Sequence, residues 1–419
     1  MKILVLGAGV IGVASAWYLS RAGHDVTVVE RRAEPASEAS FANGGQISVS
    51  HAVPWANPSA PLQILKWLGR ADAPLKFRPR LDWGQWLWGV RFLRECLPAR
   101  TRDNTRHILA LGRSSLAALK ALRDELGIAY DQQMRGILSV YTDHRGLDDA
   151  LSHLALLRAG GIRCEPKTST ECVTIEPALA DAQPRLAGGI YTPDDESGDA
   201  CLFTRKLATQ CARRGVRFLF GHTAERIVID SGRVKAVRIT DAAGGSQELA
   251  ADAYVMAMGS WSPLMLRQAR VAAPVYPVKG YSVTLAVRAQ DDAPRVSVTD
   301  EARKLVFSRL GDRLRVAGTA ELAGYDDRID AGRCAAILDR VFELFPRAGD
   351  RASTQMWAGL RPATPGNVPL IGVSRFPNLL VNTGHGTLGW TLACGSGQAI
   401  AEIVGGRRPD VDFPFLRMI

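Results

Sequence analysis

The chain has 419 residues, of which 47% are hydrophobic and 22% charged, with a formal net charge of +10. The length exceeds what one hydrophobic core normally serves, and the composition excludes a disordered or fibrous chain. The positive charge is scattered in pairs such as Arg31-Arg32, Arg213-Arg214 and Arg407-Arg408, so it argues for a cationic surface rather than a specific nucleic-acid site.

In chain order, "KILVL" at 2–6 predicts a short apolar strand, and "GAGVIG" at 7–12 is a G-x-G-x-x-G opening a helix that runs to about Ala22. Gly7 permits the tight turn, Gly9 the approach of a pyrophosphate, and Gly12 close helix–strand packing. The helix N-terminus at Val10 and Ile11 favours phosphate charge. "DVTVVE" predicts a second strand ending at Glu30, whose carboxylate would accept hydrogen bonds from a ribose diol, with Arg31 beside it. This half of a doubly wound α/β unit does not separate NAD from FAD, and a tight turn with no ligand is the plainer alternative. The same stretch has the lysine, apolar run and small residues of a leader. Cleavage would part the glycines from Glu30, so it reads as structure.

"NGGQ" follows, placing Gly44, Gly45 and Gln46 where backbone is free to approach a cofactor. His51 is close enough in sequence to meet an amine or a ring, or simply to be satisfied by a neighbour. From Pro54 to Pro98 the chain is rich in tryptophan and proline; Trp83, Trp86 and Trp88 suit domain packing or a membrane interface. Helical patterning covers about 103–126. "GILSVYT" predicts a strand and "GLDDALSHLALLRAGG" a helix ended by glycine. "GGIYTP", a helix over about 202–214 and "VRFLFG" read as a further strand–helix–strand. Residues 224–259 alternate as a β-meander, with turn signals at Ser231-Gly232 and Gly244-Gly245. The strand "AYVM" runs into Gly259, which brings backbone to the same dinucleotide or merely ends the strand.

Residues 275–325 are strand-like again, with Tyr281 a candidate hydrogen-bond donor or an ordinary strand tyrosine. "CAAILDRVFELFP" is helical. In "GLRPATPGNVPLIG", Arg361 sits in a rigidly turned segment, where its fork would clamp a carboxylate or cap carbonyls. "NTGHGTLGWTLACGSG" then leads two strand signals into a last helix from about Leu388 to Val404. Its loop of Gly384, His385, Gly386, Thr387, Leu388 and Gly389 offers free amides to a planar ring that gains negative charge on reduction. That suits a flavin better than a nicotinamide. Gly395 and Gly397 would let the helix pack close to the nucleotide strand. The seven cysteines are widely spaced, with no C-x-x-C pair or His/Cys cluster to hold a metal, and read as reduced, buried thiols of a cytoplasmic protein.

These pieces predict an α/β chain: a discontinuous Rossmann-type domain over 1–60, 148–268 and 357–419, and an inserted α+β domain, built on an antiparallel sheet, over 61–147 and 269–356.

Five segments together, "VLGAGVIGVASAWYLSRAGHDVTVVER", "SFANGGQIS", "YPVKGYSVT", "GLRPATP" and "NTGHGTLGWTLACGSGQ", resemble the FAD-dependent D-amino-acid dehydrogenases of the D-amino-acid oxidase superfamily, nearly end to end. The resemblance implies FAD as cofactor and oxidation of the Cα–N bond of a D-amino acid to an imine, which water hydrolyses to a 2-oxo acid and ammonia. It also implies electron transfer to a quinone or another respiratory acceptor, and peripheral contact with the cytoplasmic face of the inner membrane. It maps Arg361 onto the arginine that binds the substrate carboxylate; the residues themselves offer Tyr281 as a second donor and His51 as a contact to amine or ring. "SHAVPW" stands where the family reads "GYAAPW", so His51 replaces a tyrosine, and "TPGNVP" replaces "TPDGTP". These departures leave a related activity open, on cis-4-hydroxy-D-proline or other D-proline-like secondary amines. A NAD-dependent dehydrogenase and an RNA-acting flavoprotein are the readings from other classes.

Overall fold

The computed structural model describes residues 1–67 and 73–417. Strand Lys2–Leu6 lies at the centre of a six-stranded sheet, paired in parallel with Asp25–Glu30 on one side and Ala253–Met256 on the other. Arg217–Phe220 and Leu379–Thr383 extend it in parallel, and Leu370–Val373 closes one edge antiparallel. The central strands are covered on both faces, which is why "ILVL", "AYVM" and "LLV" read as unbroken apolar runs.

The glycines of the last helix, Gly389–Val404, pack it against helices rather than against the nucleotide strand as the sequence had suggested. A Cβ on Gly397 would sit 2.7 Å from the Ala14 carbonyl carbon of helix Val10–Arg21. One on Gly395 would sit 2.9 Å from Ser115 Cβ of helix Pro98–Leu126. The last helix thus packs at backbone distance against both.

A nine-stranded, mostly antiparallel sheet forms the second layer. Its main path runs Gln355–Ala363, Tyr276–Ala286, Arg313–Leu322, Leu305–Leu310, Ser297–Asp300, Ile137–Tyr141, Gly188–Thr192 and Glu165–Lys167. Leu75–Phe77 pairs in parallel with Arg313–Leu322. "GGIYTP" and "VRFLFG" therefore do not form one strand–helix–strand unit: Gly188–Thr192 joins this sheet and Arg217–Phe220 the other. Glu165–Lys167 and most of Gln355–Ala363, which the sequence reading put with the cofactor domain, also lie here. We propose that the boundary between the two units follows sheet membership. The meander is a separate three-stranded sheet of Thr223–Asp230, Arg233–Thr240 and Ser246–Leu249.

The tryptophan-rich stretch folds into helices Ala60–Trp67 and Trp83–Glu95; its residues 68–72 lie outside the described residues. Asp82 caps the second helix by accepting from the Gly84 N–H. Trp88 is buried, with its indole N–H donating to the Ala363 carbonyl at 2.8 Å, whereas Trp83 and Trp86 are exposed. Among the described residues no helix is long and apolar enough to cross a membrane.

Candidate active site

A cavity of about 1650 Å³ lies between the carboxyl ends of the parallel strands and one face of the nine-stranded sheet. Brought to it are the loops after Lys2–Leu6, Asp25–Glu30, Ala253–Met256 and Leu379–Thr383, the switch-point position where open α/β sheets bind ligands. Every site residue expected from the sequence lines it except Gly12 and Gly384. A Cβ on Gly12 would lie 1.9 Å from the Gly7 carbonyl oxygen, so this glycine serves the close packing expected of it. Gly384, at φ 83°, turns the chain where a Cβ would lie 2.7 Å from Thr364 Cγ2; its role is the turn rather than cofactor contact.

At one end the phosphate loop takes shape. Gly7 has φ 104°, and a side chain there would meet the Ala257 carbonyl oxygen at 2.6 Å. Gly9 caps the helix, and its missing Cβ would meet nothing nearer than Ser40 Oγ at 3.5 Å, so its open side is available to a ligand. Val10 and Ile11 line the cavity at the same helix terminus. Ser40 Oγ accepts from the Val10 N–H at 3.1 Å. Glu30 is locked at its strand end, accepting from the Ala8 N–H at 2.8 Å and the Arg32 N–H at 2.9 Å. Arg31 stacks over Trp261 at 4.2 Å and pairs with Glu38. Gly259 leaves the wall open, with Pro362 Cγ the nearest atom to its absent side chain at 4.0 Å.

The middle of the cavity is floored by the nine-stranded sheet. Gly44 is pressed so close to it that a Cβ would lie 2.4 Å from Val306 Cγ2, and Ser308 Oγ donates to the Gly44 carbonyl at 2.7 Å. Gly45 continues the loop, and Gln46 Nε2 donates to Ser297 Oγ and Thr299 Oγ1, each at 3.0 Å. Opposite stand His385, Gly386, Thr387, Leu388 and Gly389, where a short 3₁₀ turn enters the last helix. His385 Nε2 and Ser396 Oγ are hydrogen-bonded at 2.9 Å, while Nδ1 is buried with no partner among the described residues. Burial pushes this imidazole down to about 3, so it is neutral at physiological pH. Asn382 Oδ1 and Trp390 Nε1 are likewise buried and unpartnered on cavity-lining residues. Buried polar atoms are normally satisfied; this set, with the open phosphate turn and the Glu30 carboxylate, fits a flavin dinucleotide.

Arg361 pairs with Val278 across the edge strands, and its guanidinium lies over Gly280, where a Cβ would come within 2.0 Å of Nη1. Nη1 donates to the Thr319 carbonyl at 2.9 Å, and no carboxylate partner is present among the described residues. Burial pulls Arg361 down to about 10, which leaves it charged at neutral pH. A half-buried guanidinium without a partner anion is costly unless one joins it.

The structure turns Tyr281 away from this group and ties His51 to other partners. Strand alternation puts Val278, Gly280 and Ser282 on the Arg361 side and turns Tyr281 into the core behind the sheet, beside Val283 and Leu285. Its hydroxyl donates to Glu321 Oε2 at 2.7 Å, and burial with that carboxylate raises its pKa far above the ordinary value. His51 lies by Glu301, just past strand Ser297–Asp300, with Nε2 at 3.6 Å from Oε1. His51 also belongs to a polar network: Nδ1 contacts Ser48 Oγ, and Ser50 Oγ and the Val49 N–H donate to buried Asp195. Burial alone would lower His51, but Glu301 outweighs it and raises the imidazole. Burial opposes ionisation of Glu301 too, yet His51 and Lys304 hold it at about 2.

Sequence reasoning missed Ser40, whose signal was a helix with glycine rather than a hydroxyl at its N-cap. It also missed Thr391, whose Oγ1 accepts from the Ser48 N–H at 3.0 Å and ties the glycine loop to the last helix. Thr319 gave no local signal.

With this geometry in view, comparison with known proteins gives consistent results. Residues 2–403 match the FAD dependent oxidoreductase family model. The chain is similar to a D-amino acid dehydrogenase of Dechloromonas aromatica (strain RCB), 53% identical over 417 residues and covering 100% of both chains. It is also 52% identical to the D-amino acid dehydrogenase of Paramagnetospirillum magneticum, covering 97% of this chain and 96% of that one. In fold it resembles glycine oxidase from Geobacillus kaustophilus, with TM-score 0.76, 23% identity and coverage of 100% and 99%. L-proline dehydrogenase from P. horikoshii has TM-score 0.74, 16% identity and coverage of 98% and 95%.

Proposed function

The chain belongs to the FAD dependent oxidoreductase family, and from that premise we propose that it acts as a D-amino acid dehydrogenase, converting D-amino acids to 2-oxo acids and ammonia. The observation that carries this reading is Arg361, a half-buried cation on the cofactor cavity with no carboxylate partner among the described residues. FAD, when bound, supplies the acceptor for the hydride leaving the α-carbon. The chain's own residues supply position. Arg361 anchors the substrate carboxylate bidentately, which fixes the α-carbon relative to the sheet floor. Gly280 leaves room for the guanidinium. Among the described residues no side-chain base is hydrogen-bonded to Arg361, and the amine sheds its proton to solvent before it is oxidised.

For the electron acceptor, we favour a quinone or another carrier met at a membrane surface on the cytoplasmic side. Helix Trp83–Glu95 exposes Trp83 (89%), Leu87, Val90 (66%) and Leu93 at helical spacing, next to exposed Leu62 and Leu65 of helix Ala60–Trp67. Lys66, Arg91, Arg94 and Arg100 are exposed around them. Leu65, Trp86, Val90 and Leu93 are exposed and also line the cavity, so the apolar face and the cavity meet there. An apolar patch fringed by cations suits an anionic bilayer.

The test is anaerobic assay of the FAD-loaded protein with a dye acceptor against D- and L-amino acids, including D-proline and cis-4-hydroxy-D-proline. D-amino acids are expected to reduce the dye and their L-enantiomers not to. Reduction by none of the D-substrates would overturn the reading.

A further inference from the structure

Strand Arg313–Leu322 is irregular beside the Arg361 guanidinium. Its pairing with Tyr276–Ala286 runs from Tyr281↔Gly318 to Lys279↔Glu321, so one strand advances by an extra residue and the ladder bulges around Thr319. Thr319 takes φ 55°, in the left-handed region. A β-branched residue there is a genuine outlier, and glycine at the position would relieve it. Strain of this kind is retained where backbone must present groups to a ligand.

Two groups are presented. The Thr319 carbonyl accepts from Arg361 Nη1 at 2.9 Å, the one hydrogen bond seen for that guanidinium among the described residues. The Thr319 hydroxyl is sealed from solvent and unpartnered, on a residue that lines the cavity. A regular strand would bond that carbonyl across the ladder instead of to the arginine; the bulge frees it.

We propose that Thr319 is the second half of the carboxylate site, its carbonyl aiming the Arg361 guanidinium and its hydroxyl donating to the substrate carboxylate. The proposal rests on the reading of Arg361 given above. It assigns to Thr319 the donor role that the sequence suggested for Tyr281, whose hydroxyl is spent on Glu321. It also explains why a strained threonine stands where glycine would be easier.

Thr319→Val keeps the branched shape and the carbonyl and deletes the donor. On FAD-loaded protein it should raise KM for D-alanine about tenfold, with a smaller change in kcat. It should weaken binding of pyruvate, read by perturbation of the flavin's visible spectrum, by a similar factor. Thr319→Ser should restore pyruvate binding. Thr319→Gly should bind pyruvate as weakly as the valine variant while its Tm is equal to or above that of the wild type, since glycine tolerates the backbone. Pyruvate binding as tight in Thr319→Val as in the wild type overturns the proposal. Arg361→Lys separates the two readings. If it too leaves pyruvate binding intact, the carboxylate role of Arg361 falls; if it alone weakens binding, only the role of Thr319 falls.

Discussion

Gly280 and Arg361 are complementary across the edge of the large sheet: the guanidinium occupies the space a Cβ at 280 would need, 2.0 Å from Nη1. The motifs "KGY" and "GLRP", about eighty residues apart in the chain, are thus two parts of one device.

Gly280→Ala should therefore act as an indirect arginine mutant. The methyl displaces the guanidinium, so KM for a D-amino acid rises while FAD content stays normal. Arg361→Ala should go further, raising KM roughly 100-fold, about 2.7 kcal/mol of lost binding. Steady-state kinetics on protein of measured flavin content checks both, and an unchanged KM in Arg361→Ala removes the arginine from the site.

The two phosphate-loop glycines should fail differently. Gly9 has open space where its side chain would be, so Gly9→Val should fold, with a normal circular dichroism spectrum, yet purify without flavin. Gly12→Val meets the Gly7 carbonyl oxygen at 1.9 Å and should lose soluble, folded protein as well. A yellow, fully loaded Gly9→Val would overturn the phosphate-loop assignment.

Membrane contact is tested by sedimentation with vesicles containing phosphatidylglycerol. Wild-type protein should pellet with them and be released by salt. Replacing Trp83, Leu87 and Val90 together by serine should reduce the bound fraction several-fold, since these side chains are already exposed and their loss costs little folding energy. Equal binding by the triple variant would move the contact elsewhere.

The His51–Glu301 pair predicts a stability window. Glu301 is held down at about 2 against an ordinary 4.5, so its stabilisation is present above 4.5 and is lost as pH falls toward 2. His51 is raised above its ordinary 6.5, so its contribution is complete below 6.5 and is lost as pH rises through the raised value. The Tm difference between wild type and His51→Gln should accordingly be largest between 4.5 and 6.5, roughly 2–4 °C, and should narrow at alkaline pH. A difference independent of pH would show that the pair is not what His51 contributes.

Sequence alone determined the parts of this protein that depend on neighbouring residues. The turn after Lys2–Leu6, the helix terminus at Val10 and the acid closing the next strand lie within one strand–turn–helix–strand, so local spacing suffices to read them. The resemblance motifs carried cofactor and reaction class in the same way. What tertiary structure decided is which side chains meet. Side chains alternate along a strand, so whether Tyr281 or Gly280 faces the arginine depends on pairing with a strand far along the chain. The bulge that turns Thr319 toward Arg361 arises from a register shift between two strands. Register is not written in the local pattern; it is set by long-range packing.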